Sequence, residues 1–291
     1  MIRAITKDGS ARCVLTDSSN IVARAAQIHG DTLAVNVVLG SVLTAASMMG
    51  SFMGEKDDLL TLRFAGDGDT GIVLASADYM GNVRGYIQNC AAQVDIINGK
   101  PDIPTAIGKG VLHVLRDLVD KEPYVGICDI MHGDVASDIT QYYQDSEQLP
   151  TACIIGVMPR KESDELSDRL PFVAGGALVQ LLPFADDAVA IKLEENVNKL
   201  PSLTSLLGER SLEEIAELIF DGIEYEIFDE FDSMYKCACS RDKTDAALSA
   251  LGDTELDKLI ADEEETVLTC QFCDQVYRYT KDELKARKQK K

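Results

Sequence analysis

Apolar and polar residues alternate from Ile2 to Thr6 and again from Ala11 to Thr16, two strand-like runs joined through Asp8-Gly9 as a hairpin. Ser18, Ser19 and Asn20 offer N-caps for a helix carrying Ile21, Val22, Ala25 and Ile28. From Thr32 to Gly54 no residue is charged, a length that in principle spans a bilayer. The stretch nevertheless holds Asn36, Ser41, Thr44, Ser47 and Ser51, and no basic cluster flanks it. It therefore reads as a helix buried on all sides in a soluble core. A meander follows: Leu59 to Phe64, Ile72 to Ala75 and Val83 to Gln88 are strand-like, with turns at Gly66-Asp67-Gly68-Asp69 and Gly81-Asn82. Val111 to Leu115, Val125 to Ile130, Cys153 to Val157 and Leu178 to Leu182 add strands, and Val135 to Glu147 adds a helix. Strands mixed with few helices, and without regular βαβ alternation, predict an α+β fold. Its N-terminal domain is expected to pack antiparallel β-sheets on helices that include the buried central one.

The pattern changes after Pro183. Asp187 to Leu200 is amphipathic through Val189, Leu193, Val197 and Leu200, and Pro201 stops it. Ser211-Leu212-Glu213-Glu214 is a capping box that opens a helix through Ile215, Leu218 and Ile219. Such short helices need a partner surface, so residues 181–232 read as a helical connector docked on the body. The expected organisation is a core domain over 1–180, a metastable helical linker over 181–232 and a small zinc-binding domain over 233–291.

With 46% hydrophobic and 26% charged residues in 291, the composition is that of a soluble globular protein. The net charge of −21 argues against broad contact with nucleic acid or an anionic membrane. Only Lys285 to Lys291 is basic, most simply a frayed solvated end. The chain opens straight into a strand pattern, so no secretory leader is expected. Cys13, Cys90, Cys128 and Cys153 are scattered singly through apolar surroundings as small core residues, which fits a reduced, cytoplasmic setting.

The other four cysteines are paired. Cys237-Ala238-Cys239 and Cys270-Gln271-Phe272-Cys273 lie thirty residues apart. Two tight turns of this kind can bring four soft donors to one centre, the set zinc prefers in a closed, non-catalytic site. Lys236, Arg241 and Lys243 flank the first pair and are expected to favour thiolate over thiol. A Cys-x-Cys arm departs from the usual ribbon spacing. A disulfide between residues so close in sequence closes a small ring and is easily reduced again, which suits a reversible sensor.

Other chemistry is not assembled. Gly66-Asp67-Gly68-Asp69-Thr70-Gly71 fails both the phosphate-loop and the calcium-loop pattern and reads as a turn; Gly108-Lys109-Gly110 is too short to carry weight. His29, His113 and His132 read as structural, hydrogen-bonded histidines. No nucleophile elbow or metalloprotease motif is present, and the acidic run Asp262 to Glu265 is assigned no role.

The cysteine segment resembles the 33 kDa chaperonin family, a cytoplasmic, redox-switched heat-shock holdase: Cys237-Ala238-Cys239-Ser240-Arg241, Ala247-Leu248, Leu251-Gly252, Cys270-Gln271-Phe272-Cys273 and Tyr277 follow its pattern. The body is similar too, at Gly66-Asp67-Gly68, Val83-Arg84-Gly85-Tyr86, Ser146 to Thr151, Ala174-Gly175-Gly176 and Gln180-Leu181-Leu182-Pro183. Asp69 and Cys90 stand where proline is commoner in the family, and the acidic run before Thr266 replaces a more glycine-containing turn. The resemblance implies a chaperone and no enzyme. In the reduced form Cys237, Cys239, Cys270 and Cys273 would hold one zinc ion per chain. In the oxidised form Cys237–Cys239 and Cys270–Cys273 would be disulfides, the metal released, and the protein a homodimer that holds unfolded clients without ATP. Two other classes remain open. One is a zinc-ribbon module binding nucleic acid through the basic tail; the other is a disulfide oxidoreductase using Cys270 and Cys273.

Overall fold

A computed structural model describes residues 1–288, apart from 31, 98, 161–170 and 263–264. It divides into two compact units, Met1–Lys236 and Cys237–Lys291. The first begins with the hairpin β1 (Ile2–Thr6) and β2 (Ala11–Asp17), turned at Gly9 with φ 76°. Helices α1 (Ser19–His29) and α2 (Leu33–Gly50) follow. Next come the meander strands β3 (Leu59–Gly66), β4 (Ile72–Asp78) and β5 (Val83–Ile87). A two-residue hairpin, β6 (Ile96–Ile97) and β7 (Lys100–Pro101), leads into the short helix α3 (Ile103–Ile107). The chain continues through β8 (Gly110–Asp117), β9 (Tyr124–Ile130), α4 (Val135–Ser146), β10 (Thr151–Pro159) and β11 (Phe172–Leu181).

Apart from the β6–β7 pair, these strands form two antiparallel sheets, and the uncharged helix α2 is wedged between them. One sheet has the order β5-β4-β3-β8-β9. The other is β10-β11-β2-β1-β12, closed at its edge by β12 (Tyr225–Glu230). Helix α2 packs on β3, β4 and β5 on one side and on β10 and β11 on the other. Its buried set runs from Ala34 to Gly50 around the whole cylinder, which is why the helix needs no polar face. Gly50 lets it come close to β4, since a Cβ there would lie 2.8 Å from that of Ala77.

The second sheet is covered on both faces, and strand alternation sorts its residues between them. Val14 and Leu178 join the α2 core. Their neighbours Cys13, Leu15, Ala177 and Val179 point the other way and are covered by Leu193, Leu203, Leu206, Ile215 and Phe220. Those residues come from or follow α5 (Asp187–Lys199), α6 (Leu203–Glu209) and α7 (Leu212–Ile219). The capping box expected at Ser211 is formed: its hydroxyl accepts from the Glu214 N–H at 3.2 Å, and the Glu214 carboxylate accepts from the Ser211 N–H at 2.8 Å. Ser211→Ala is expected to cost about 1 kcal/mol, read as a lower urea midpoint for the first unit. An unchanged midpoint would mean that the tertiary contacts of α7 hold it without the cap.

Residues 181–232 are not wholly helical. β12 pairs antiparallel with β1, Thr6 opposite Tyr225 and Ile2 opposite Glu230, with an irregularity at Arg3/Ala4. The Arg3 guanidinium donates to Asp229 and to the Ser51 carbonyl. Beyond β12 the chain clips to the free edge of β5: Val83 N–H donates to Met234 O at 3.0 Å, Lys236 N–H to Val83 O at 2.9 Å, and the Tyr235 hydroxyl to Gly85 O at 2.8 Å.

The second unit has α8 (Arg241–Ala250), α9 (Asp253–Asp262), the hairpin β13 (Glu265–Thr269) and β14 (Val276–Thr280), and α10 (Lys281–Lys288). The basic tail is therefore helical as far as Lys288 rather than frayed, and 289–291 lie outside the described residues, as do 263–264 of the acidic run. Its buried apolar core is Leu248, Leu256, Tyr279 and Leu284. A core of that size is small for a unit of this length, and domains below about 70–80 residues usually need a staple.

Candidate metal centre

Two local structures present the paired cysteines. Cys237 and Cys239 lie on an extended segment that ends at Ser240, the N-cap of α8, whose hydroxyl accepts from Lys243 N–H at 3.2 Å. Cys270 and Cys273 sit in the knuckle between β13 and β14. There Cys270 O accepts from Asp274 N–H at 3.0 Å, Cys270 N–H donates to Gln275 O at 2.9 Å, and Asp274 takes φ 56° to reverse the chain. Both segments bring their sulfurs to one place.

The four Sγ atoms lie within 4.8 Å of one another. Cys237 and Cys270 are 3.7 Å apart, and Cys239 and Cys273 3.5 Å. A tetrahedron with metal–sulfur bonds of about 2.3 Å has edges of about 3.8 Å, so the donor spacing fits such an ion. All four cysteines are half-buried and none is in a disulfide. Among the described residues, this is the group of His, Cys, Asp or Glu donors close enough to share an ion.

Burial pushes the Cys237 and Cys273 thiols up; the other three thiols add to the rise at Cys273, whereas at Cys237 the Cys239 backbone and the Cys273 thiol oppose it. Cys239 goes the other way: burial opposes ionisation, but the Tyr277 hydroxyl donates to its sulfur at 3.1 Å and the other three cysteines also donate, which lowers it. Two of the cations expected to help, Arg241 and Lys243, are engaged elsewhere. Arg241 is committed to Glu283 at 2.6 Å and lies over the Tyr279 ring, while Lys243 Nζ donates to Ala238 O at 2.7 Å. Tyr277, quoted in the sequence only as part of a resemblance, is the polar group that touches a sulfur. A tyrosine next to an exposed valine on a strand gives no local signal of that contact.

The other candidates take the places expected of structural residues. Asp67 accepts from Lys109 N–H at 2.7 Å and Asp69 from Gln93 N–H at 2.9 Å, so the glycine-aspartate stretch is a turn whose acids hold neighbouring backbone. His29 Nε2 lies 3.4 Å from the Tyr235 hydroxyl, and His113 Nδ1 lies 3.4 Å from Arg63. His132 is exposed, and it is its backbone N–H, not its ring, that donates to Asp138 at 2.9 Å, so the expected structural role of its imidazole is not seen. Burial raises the Cys13, Cys153 and Cys128 thiols, the last to about 11, which suits inert core residues. Cys270 and Cys273 stand in a hairpin turn and not at a helix start, which removes the geometry an oxidoreductase pair needs.

The model of the Hsp33 protein family matches residues 1–280. A 33 kDa chaperonin of Clostridioides difficile (strain 630) is 37% identical over 98% of this chain and 96% of its own length. The chain belongs to the Hsp33 family. Another 33 kDa chaperonin, from Clostridium perfringens (strain SM101 / Type A), is 37% identical over 98% of this chain and 89% of the relative. The crystal structure of the 33 kDa chaperonin, a heat shock protein 33 homolog, from Thermotoga maritima matches with a TM-score of 0.86 at 30% identity, covering 98% of this chain and 97% of that one. Hsp33 proteins are chaperones, and the four-cysteine cluster of this one has the make-up of a redox-regulated zinc centre. The α+β fold with antiparallel sheets and a buried central helix agrees with the sequence reading.

Proposed function

We propose that this Hsp33 protein is a cytoplasmic, ATP-independent holdase kept closed by a zinc ion on Cys237, Cys239, Cys270 and Cys273 and opened by oxidation of those residues. The observation that carries the reading is the convergence of all four sulfurs within 4.8 Å, at the spacing a tetrahedral ion requires. Zinc, when bound, would hold the sulfurs as thiolates in a closed site with no open coordination position. Oxidation takes two electrons from each pair of thiolates and, with two protons from solvent, reduces one peroxide to two waters, which removes the donors.

The disulfides proposed are Cys237–Cys239 and Cys270–Cys273. In the closed structure each sulfur also has a neighbour across the two pairs, Cys237 by Cys270 and Cys239 by Cys273. A cross-pair would tether residues more than thirty positions apart and keep the segment closed. Sequence neighbours stay together in an unfolded chain, so pairing between them leaves the segment free.

Residues 181–232 are then the metastable linker between the core, 1–180, and the zinc domain, 233–291. β12 and the clipped residues up to Lys236 lead directly into Cys237, so disorder beyond that point frees one end of them. Detachment of α5–α7 would uncover Ile2, Cys13, Leu15, Ala177 and Val179, an apolar sheet face able to hold partly unfolded clients. A second copy could cover the same face, which supports a homodimer in the oxidised state. Neither nucleic acid nor membrane is proposed as a partner: the net charge is −21, and the bilayer-length helix α2 is 83% buried inside the first unit.

Peroxide with mild heat is expected to release about one zinc per chain, consume the four paired thiols and confer suppression of client aggregation in light scattering. Peptide mapping is expected to find only neighbour disulfides. Full protection by the reduced, zinc-loaded protein, or cross-paired disulfides in the active form, would overturn the scheme.

A further inference from the structure

Between the two sheets of the first unit, beside the end of α2, lies a cavity of about 220 Å³, roughly the volume of seven liquid waters. Two guanidinium groups reach it, Arg12 from β2 and Arg116 from β8, together with the ring of Tyr143 from α4. Met49, Phe52, Leu60 and Leu118 supply apolar wall.

The charges at this place do not cancel. Arg116 is paired with Glu147, at 3.0 Å and 3.3 Å, and that carboxylate also accepts from Tyr142 at 2.7 Å. Arg12 has no carboxylate. Its Nε donates to Gln180 Oε1 at 2.9 Å and its plane lies over the Phe52 ring at 4.0 Å, while its two outer nitrogens have no protein acceptor among the described residues. Gln180 is fully buried and is itself held by Thr151, so it fixes the direction of the Arg12 fork. Tyr143 is 4% exposed, and its hydroxyl has no hydrogen-bond partner among the described residues. Burial, with Arg116 and Arg3 nearby, makes the charged form of Arg12 costly despite an opposing effect of Tyr143. One surplus positive charge is thus half-buried in a chain whose net charge is −21: the carboxylate on the cavity wall, Glu147, is already held by Arg116 and Tyr142, and no second acid faces Arg12 among the described residues.

We propose that this cavity binds a small organic carboxylate with a short hydrocarbon tail. The free edge of the Arg12 fork matches the two oxygens of a carboxylate, and the unpartnered Tyr143 hydroxyl supplies a further donor. The tail lies along Met49, Phe52 and Leu118. A phosphate fits less well, because its additional oxygens would face that apolar wall without donors. The site lies wholly within the first unit and is independent of the metal centre.

The test is calorimetric titration of the full chain with sodium hexanoate, hexanamide and inorganic phosphate. Hexanoate should bind saturably at one site per chain and raise the thermal midpoint, whereas the neutral, isosteric hexanamide should not bind. Arg12→Gln should weaken hexanoate binding by about tenfold or more. Tyr143→Phe, which keeps the ring and so the packing, should weaken it by about threefold. Equal binding of hexanamide, preference for phosphate, unaltered binding in the folded Tyr143→Phe protein, or no hexanoate binding in the millimolar range would each overturn the proposal.

Discussion

Chelation of the zinc proposed on Cys237, Cys239, Cys270 and Cys273 will unfold residues 237–288 while leaving 1–236 folded. The apolar core of the second unit is four buried side chains, Leu248, Leu256, Tyr279 and Leu284. Its other long-range ties include a two-stranded hairpin, the Thr244–Tyr279 hydroxyl contact with Arg241 over that ring, and the ion pairs Arg241–Glu283 and Arg278–Glu265, both largely exposed. Exposed pairs contribute at most about 1 kcal/mol each, and an isolated hairpin is marginal in water. A structural zinc site contributes on the order of 10–16 kcal/mol in small zinc modules. That exceeds everything else in the unit, so its removal decides the outcome. Cys273→Ser should behave similarly, because a serine hydroxyl does not ionise to a soft donor. Limited proteolysis should then cut within 237–288 and spare a resistant fragment ending near Lys236. An unchanged protease pattern and circular-dichroism spectrum after chelation would show that the fold of the unit does not depend on metal.

What could be read from the sequence followed the strength of local signals. The hairpin at Gly9, the capping box at Ser211 and the uncharged helix are set by short-range chemistry, and all three are where their residues put them. Of the strands read short or missed, β11 and β12 show the physical reasons most clearly. β11 was expected only from Leu178, but it begins at Phe172 and passes through Ala174-Gly175-Gly176-Ala177. Those small residues look like a turn, yet the sheet is covered on both sides there: a Cβ on Gly175 would meet Leu207 at 2.4 Å, and one on Gly176 would meet Met48 at 2.5 Å. β12 carries Glu226, Asp229 and Glu230, charges that read as loop but suit an edge strand. At the site, the four cysteines were plain from spacing, while the polar group acting on Cys239 was not. Contact between Tyr277 and Cys239 depends on how a hairpin folds back over thirty-eight positions, and flanking lysines and arginines were a misleading proxy.

Arg3→Met will loosen β12 before it loosens anything else. Arg3 is 6% exposed, and its guanidinium joins three parts of the first unit. It donates to the Ser51 carbonyl after α2 at 2.6 Å, to the Tyr79 hydroxyl after β4, and to Asp229 on β12. The rings of Tyr79, Phe228 and Phe231 surround it with centroids 4.6, 5.2 and 4.9 Å from its central carbon. Methionine keeps much of the volume but leaves Asp229 without its cation. Breaking a buried pair costs about 3–5 kcal/mol, and the partial exposure of Asp229 places this one at the low end, about 3 kcal/mol. Because the lost contacts bridge β12 to the body, the cost should fall on local opening. Amides of 225–230 that pair with β1 should exchange about a hundredfold faster, while those of β3 and β4 change only as far as global stability falls. If β12 is the latch of the linker, the reduced, zinc-loaded variant should also suppress some client aggregation without oxidant. Unchanged exchange in 225–230 would show that the hydrogen-bond ladder to β1 holds the strand by itself, and the latch would have to be sought among α5–α7.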